Sequence, residues 1–219
     1  MTIIGSGINE LIRWLNVQSK KYEDDRIRGN VNVQSVYMLL KGCLHTHTTC
    51  SDGKLSPQEV ANAYESRGYD FIAFTDHDYL LKPNYREICG QVKTNMIVFY
   101  GIELTVFVNG YIHVTKIEGD REVLHIFNHI GEYDFTPEQL MVRLAELEKM
   151  YPIDAVEITT KGFREMVFES LNIAYPKIAS DDSHTHGGIG RAWIELDANR
   201  GKDSIIQAIK KGKCWNCYI

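Results

Sequence analysis

Apolar runs that end in histidine or a carboxylate recur along this chain, and they alternate with segments that carry helix caps. VYMLLKGCLHTHT, YDFIAFTDHD, MIVFYGIELTVFV, YIHVTKI, VLHIFNH, IDAVEIT, YPKIASDD and AWIELD read as strands. Runs as continuous as YDFIAF belong to strands covered on both faces. Between them, SPQEVANAYESRG offers Ser56 as an N-cap, Pro57 at the first helical position, Glu59 completing a capping box and Gly68 as the stop. TPEQLMVRLAELEKM repeats the device with Thr136 and Pro137 and puts Leu140, Leu144 and Leu147 on one face. KDSIIQAIKKG supplies a last helix. Strands alternating with helices predict an α/β fold with a mainly parallel sheet, and about seven strands would suit an open sheet or a barrel.

Nothing divides the chain after Val36: there is no repeat, low-complexity tract or Pro/Gly/Ser linker. Residues 1–35 differ, with helical spacing in INELIRWL followed by the charge run KKYEDDRIRGN, and read as a peripheral N-terminal segment. Residues 36–219 then form a single domain, of a size that supports its own core. Twenty-four basic against twenty-nine acidic side chains leave a net charge of −5, which argues against a strong nucleic-acid surface or an anionic-membrane surface. No apolar run approaches the ~18 residues of a membrane span, and MTIIGSGINELIRWLNVQSKK does not read as a secretory signal. Five cysteines without a framework point to a reducing, cytoplasmic setting. Cys214 and Cys217 have C-x-x-C spacing but no second pair nearby, so they read as structural.

Seven of the eight histidines lie within or just after an apolar run. His45 and His47, two apart, point the same way from an extended chain. Asp52 follows in a Ser-Asp-Gly turn, Asp76 and His77 end the next strand, and Glu103 ends the one after. His125 and His129 share a face, and Asp182 and His184 form a D-x-H. A lone strand-end histidine is ordinarily a hydrogen-bonded wall residue, and S-D-G is ordinarily a turn. Four or five imidazoles converging with three carboxylates are different, because their desolvation is offset only by something cationic among them. Nitrogen and carboxylate donors suit zinc, manganese or iron.

L-H-T-H-T-x-x-S-D-G, T-D-H-D, G-I-E, a strand-end N-H and D-D-S-H, in that order, resemble the PHP (polymerase and histidinol phosphatase) family. The likeness runs from about Leu40 to the closing G-K-C-W. It implies a distorted seven-stranded β/α barrel and hydrolysis of phosphoesters by a metal-bound hydroxide at a site of two or three divalent ions. On that resemblance His45, His47 and Asp182 hold the first ion and Glu103 bridges to the second. His129 takes the second-ion position, and Asp52, His77 and His184 form a third group. One departure stands out: where such members carry a further histidine, no histidine lies between His129 and His184. The second ion is then held by fewer protein ligands, held by water, or absent, with His125 and His113 reading as buried or wall residues.

Two side chains are assigned to the chemistry beside the ligands. Asp76 would hold a ligand imidazole in its tautomer, and His184 or a water on the third metal would pass a proton to the leaving alkoxide. A phosphate monoester needs a cation, for which Arg191 comes first and Lys161 or Arg164 second. His186 reads as either a substrate contact or a solvated residue. The substrate is expected to be a small phosphorylated metabolite or nucleotide. An amidohydrolase-type hydrolase also begins with H-x-H, but it would use a strand lysine where this chain has Glu103. A non-catalytic PHP module is the remaining alternative.

Overall fold

The computed structural model describes residues 39–219; the peripheral segment read over residues 1–35 lies outside them. The described chain runs β1 (Leu39–Cys43), α1 (Pro57–Glu65), β2 (Phe71–Phe74), α2 (Tyr85–Gly90), β3 (Ile97–Phe107), β4 (Tyr111–Glu118) and β5 (Val123–Phe127). It continues through α3 (Pro137–Leu147), β6 (Ala155–Glu157), β7 (Thr159–Thr160), β8 (Phe163–Arg164), α4 (Met166–Ser170), β9 (Lys177–Ile178), β10 (Ala192–Asp197), α5 (Lys202–Lys210) and β11 (Cys214–Tyr218). Nine strands form one sheet in the order β11-β10-β1-β2-β3-β4-β5-β6-β9, with β7 and β8 a separate ribbon. The side-chain amide of Asn216 on β11 donates to the carbonyl of Lys177 on β9 at 3.1 Å, so the two edges meet and the sheet is nearly closed.

The α/β alternation is as expected, but the main sheet has nine strands where seven were expected. It is mixed, not mainly parallel. β1-β2-β3 and β5-β6-β9 pair in parallel, whereas β3-β4-β5 and β1-β10-β11 pair antiparallel. Loop length is the cause, because a parallel crossover needs roughly a dozen residues and only 108–110 and 119–122 separate β3 from β4 and β4 from β5. The first of these loops turns through Asn109 and Gly110, both at positive φ.

Both long capped helices form as their sequences dictate. Ser56 and Glu59 close a capping box on α1, as do Thr136 and Gln139 on α3, each with Pro at the first position. α3 buries Leu140, Leu144 and Leu147 against Phe127 and Val156, and α1 buries Val60 and Tyr64 with Ile72 and Phe74. Phe71 and Ala73, which alternate with those residues, belong to a different core cluster with Phe99, Ile126 and Ile194. Each such side chain contributes about 1.5–3 kcal/mol on burial. The strands are therefore fixed in register, and the polar residues at one end are held on a rigid frame. Among the described residues no helix is long and apolar enough to cross a membrane.

Candidate metal centre

Beyond β1 the chain stays extended, and Thr46 bridges in parallel to Ser183. The His47 N–H donates to the Ser183 carbonyl at 2.9 Å, and the Thr75 N–H to the Thr46 carbonyl at 2.9 Å. The H-x-H, the T-D-H and the D-x-H segments are thus laced together as continuations of β1, β2 and β9. Gly53 closes the S-D-G turn against His47 and Thr48, whose backbone a Cβ would meet at 2.6 Å. Glu103 sits inside β3 and not at its end as expected, because the hairpin with β4 prolongs the strand past it. His129 and Asp182 lie in left-handed backbone (φ 29° and 46°), a strain typical of functional positions.

The buried Glu103 carboxylate is the hub. Its Oε1 lies 3.2 Å from His45 Nε2, 3.2 Å from His113 Nδ1 and 3.2 Å from His129 Nε2, and it accepts from the Asn128 amide at 2.7 Å. Its Oε2 lies 3.2 Å from His47 Nε2 and 3.0 Å from His77 Nδ1. Asp182 Oδ1 is 3.3 Å from His47 Nε2, 3.5 Å from His45 Nε2 and 3.5 Å from His184 Nδ1. Asp52 faces the other side of the group, 3.5 Å from His47 Nδ1, 3.3 Å from His184 Nε2 and 3.8 Å from His77 Nε2.

Whether these residues suit metal can be judged from their lone pairs. His45 Nδ1 is 2.8 Å from Glu157 Oε2, a contact only an N–H can make favourably. In the neutral ring Nε2 is then a bare lone pair, yet it faces Glu103, Asp182 and, at 3.1 Å, His47 Nε2. Only a proton or a metal cation reconciles that arrangement. The buried Nδ1 atoms of His47, His77 and His129 likewise face carboxylates, of Asp52, Glu103 and Glu132, at 3.5, 3.0 and 3.1 Å without the alignment of a hydrogen bond. Three groupings have donor atoms close enough to share an ion: His45, His47 and Glu103; His77, Glu103 and His113; and His47, Asp52, His77 and His184. The donor set fits a cluster of divalent ions.

Electrostatics in the metal-free protein carry the same message. Burial alone would lower His45, but Glu157, Glu103 and Asp182 outweigh it and hold the imidazole well above its ordinary range. Burial opposes and Asp182 and Glu103 raise His47, to about 9. Burial pushes Asp182 up, but His45 and His47 pull it down to about 2. Glu103, despite its burial, is drawn well below the usual carboxylate range by His45 and by hydrogen bonds from the surrounding rings. The site has a strong standing affinity for positive charge.

Every metal-ligand candidate from the sequence (His45, His47, Asp52, His77, Glu103, His129, Asp182 and His184) converges here. Asp76 does not touch an imidazole. Its carboxylate accepts from the Thr48 N–H (2.9 Å) and hydroxyl (2.8 Å) and from the Ser51 hydroxyl (2.6 Å), so it holds the loop that carries Asp52. Successive residues of an extended segment face opposite ways, and with His77 aimed at the cluster Asp76 cannot be. The partner that orients a ligand ring is instead Glu157, which also accepts from the His129 N–H at 3.1 Å. The sequence reading passed over it, although a carboxylate ending the AVE strand was the available signal.

His113 corrects a second expectation, since it is no wall residue: its Nδ1 reaches Glu103 and lies 3.3 Å from His129 Nε2. Lys161, at the turn between β7 and β8 (φ 52°), lines a cavity of about 150 Å³ with His77, Glu103, His113, His129, Asp182 and His184. Arg191 does not line it. Its guanidinium stacks 4.9 Å from the Phe163 ring and donates to the Lys161 carbonyl at 3.3 Å, so it braces the turn that presents Lys161. Arg164, on the same ribbon, pairs with Glu169 of α4. His125 lies away from the group, 4.0 Å from Asp154.

The PHP-domain family model matches residues 44–186, more than half of the chain, and a PHP-associated model matches residues 172–214. Over 43 residues the chain is 49% identical to the DNA polymerase/3′-5′ exonuclease PolX of Bacillus subtilis (strain 168), covering 20% of this chain and 8% of that protein. Over 85 residues it is 31% identical to a 5′-3′ exoribonuclease of Haemophilus influenzae, covering 38% of this chain and 31% of that one. The chain thus spans under a third of either curated relative. Among solved structures, a two-domain protein from Bacteroides vulgatus ATCC 8482, described as containing a predicted PHP-like metal-dependent phosphoesterase, superposes with a TM-score of 0.62 at 18% identity. That match covers 83% of this chain and 65% of the other.

Proposed function

The chain belongs to the PHP-domain family, and from that premise we propose that it is a metal-dependent phosphoesterase acting on the phosphate ester of a small metabolite or nucleotide. One observation carries the reading: five imidazoles meet a single buried carboxylate, Glu103, within 3.2 Å beside a cavity that admits a phosphoryl group. Two or three divalent ions are implied. His45, His47, Glu103 and Asp182 would hold one, Glu103, His113 and His129 a second, and Asp52, His77 and His184 a third. His113 makes up for the histidine absent between His129 and His184. Zinc, manganese and iron all suit these donors. When bound, such ions supply Lewis acidity that activates water and offsets charge growing on the phosphoryl oxygens.

The protein's own residues do the rest. Glu157 fixes the His45 ring, and Asp76 fixes the loop of Asp52. Lys161, whose ammonium is 3.7 Å from Glu132 at the rim, binds a phosphoryl oxygen. Where only two ions bind, His184, more exposed than the other ligand candidates apart from Asp52, gives a proton to the leaving alkoxide. The five unpaired cysteines support a reducing, cytoplasmic location.

The test is turnover of p-nitrophenyl phosphate and its bis-ester with manganese added. Activity should vanish with chelator, return with manganese and be absent in His45→Ala. A protein that binds manganese yet hydrolyses no phosphoester would be the non-catalytic module.

A further inference from the structure

The cavity beside Glu103 is lined by His77, Glu103, His113, His129, Glu132, Lys161, Asp182 and His184, with no apolar side chain among them. Its wholly polar lining suits a phosphoryl group and its cations and offers an organic group no apolar contact. Whatever organic group the phosphate carries must therefore lie at the rim. There the short 3₁₀ turn Asp78–Leu80 presents the Tyr79 ring, 63% exposed, its centroid 5.1 Å from that of the His77 imidazole and tilted by 38°. Beyond that ring contact the Tyr79 side chain makes no hydrogen bond or ion pair within the described residues.

The turn itself is not loose. Asp78 Oδ1 accepts from the Tyr79 N–H at 2.9 Å and from the Thr105 N–H of β3 at 3.3 Å, and the Lys82 N–H donates to the Cys50 carbonyl at 2.9 Å. A rigidly mounted, exposed aromatic face at the mouth of an all-polar cavity is a stacking surface, and a flat π-system is the group that gains most from it. Phe163 and the Phe107–Tyr111 pair are other exposed aromatics on the elements that carry the site, but the Arg191 guanidinium already stacks on Phe163, and Phe107 and Tyr111 pack edge to face on each other with centroids 5.3 Å apart.

We infer that the substrate is a nucleoside phosphate whose base stacks on Tyr79 while its phosphoryl group enters the cavity beside Glu103. The inference rests on the phosphoesterase reading and deepens it. A stacked base is worth about 1–3 kcal/mol, roughly 5- to 150-fold in affinity.

Two measurements test it on the full manganese-loaded chain. The first is calorimetric binding of a hydrolysis-resistant methylene phosphonate of adenosine against the matching phosphonate of ribose. The second is kcat/KM for AMP against glycerol phosphate. The adenosine compounds should be preferred at least fivefold. Tyr79→Ala should abolish the preference, Tyr79→Phe should keep it, and Phe163→Ala should leave it unchanged. Equal binding of the two phosphonates by the native protein, or a preference that survives Tyr79→Ala or disappears with Phe163→Ala, overturns the inference. Failure of the phosphoesterase reading looks different: neither ester is turned over, whatever the phosphonates show.

Discussion

Glu157→Gln isolates the charge behind His45 from its geometry. Glutamine is isosteric, and with its amide oxygen at the Oε2 position it still accepts from His45 Nδ1 and from the His129 N–H. Its NH₂ then faces the Thr159 hydroxyl 3.4 Å away, which gives its proton to the Ser180 carbonyl, accepts from the Ser180 N–H at 3.0 Å and keeps a second lone pair to accept from the amide. One of its two hydrogens is thereby paired, and no volume changes. The loss is one negative charge: a charge-assisted bond of about 1.5–3 kcal/mol becomes a neutral one of about 0.5–1.5 kcal/mol. Removing such an outer partner typically weakens metal binding about 10- to 100-fold. Protons compete for the same lone pair, and they too are held less tightly once the charge is gone. A divalent ion feels the lost charge about twice as strongly as a proton, so metal affinity still falls, and falls more as pH rises and proton competition fades. Titration against a chromophoric chelator at pH 7 and pH 9 measures this. A manganese dissociation constant within threefold of native at both values, or a deficit that shrinks with pH, would refute the reasoning, provided the metal-free variant melts where the native protein does.

Three further outcomes follow from contacts outside or around the cluster. Asp181 is fully buried and accepts from the Tyr64 hydroxyl (2.8 Å) and the backbone N–H groups of Gly190 and Ala192 (2.7 Å each), so Asp181→Asn must set its NH₂ against one N–H. It should cost about 2–4 kcal/mol in urea denaturation of the metal-free protein; a change under 0.5 kcal/mol would contradict the network. In that metal-free state His47 is raised from 6.5 to about 9, so its stabilisation is complete below 6.5 and drains away as pH climbs to about 9. Asp182, lowered from 3.8 to about 2, stabilises above 3.8 and loses this as pH falls to about 2. Melting temperature without metal should therefore peak between those limits, whereas with manganese it should keep rising past pH 7 as ligands deprotonate onto the ion. Burial lifts the thiols of Cys214 and Cys217 to about 11, so their iodoacetamide alkylation should be slow at pH 8 and accelerate only above about pH 10.

What could be seen in the sequence, and what could not, follows from strand direction. Buried parallel strands print continuous apolar runs, and helices print their caps, so the starts of α1 and α3 were readable to the residue, and the alternation was readable too, although α1 stops at Glu65 and not at Gly68; so was the gathering of His45, His47, His77, Glu103, Asp182 and His184. The rule that placed them assumes that sites collect at the C-terminal ends of strands. It fails for β4, which runs antiparallel to both β3 and β5, so that its beginning lies where those strands end. His113, the third residue of β4, was for that reason taken for a wall. The clue was present in the three-residue spacing between the two runs, too short for any crossover. Cys214 and Cys217 mislead in the opposite sense. C-x-x-C suggests convergence, but the chain there is β11, and residues three apart on a strand face opposite ways, so the pair can neither clasp an ion nor bridge to each other without unravelling the edge where Asn216 meets Lys177. Spacing thus identifies a site only together with the direction and period of the element that carries it. Here the direction of one hairpin strand supplies the fifth imidazole on Glu103, and with it the donor that the intervening sequence lacks.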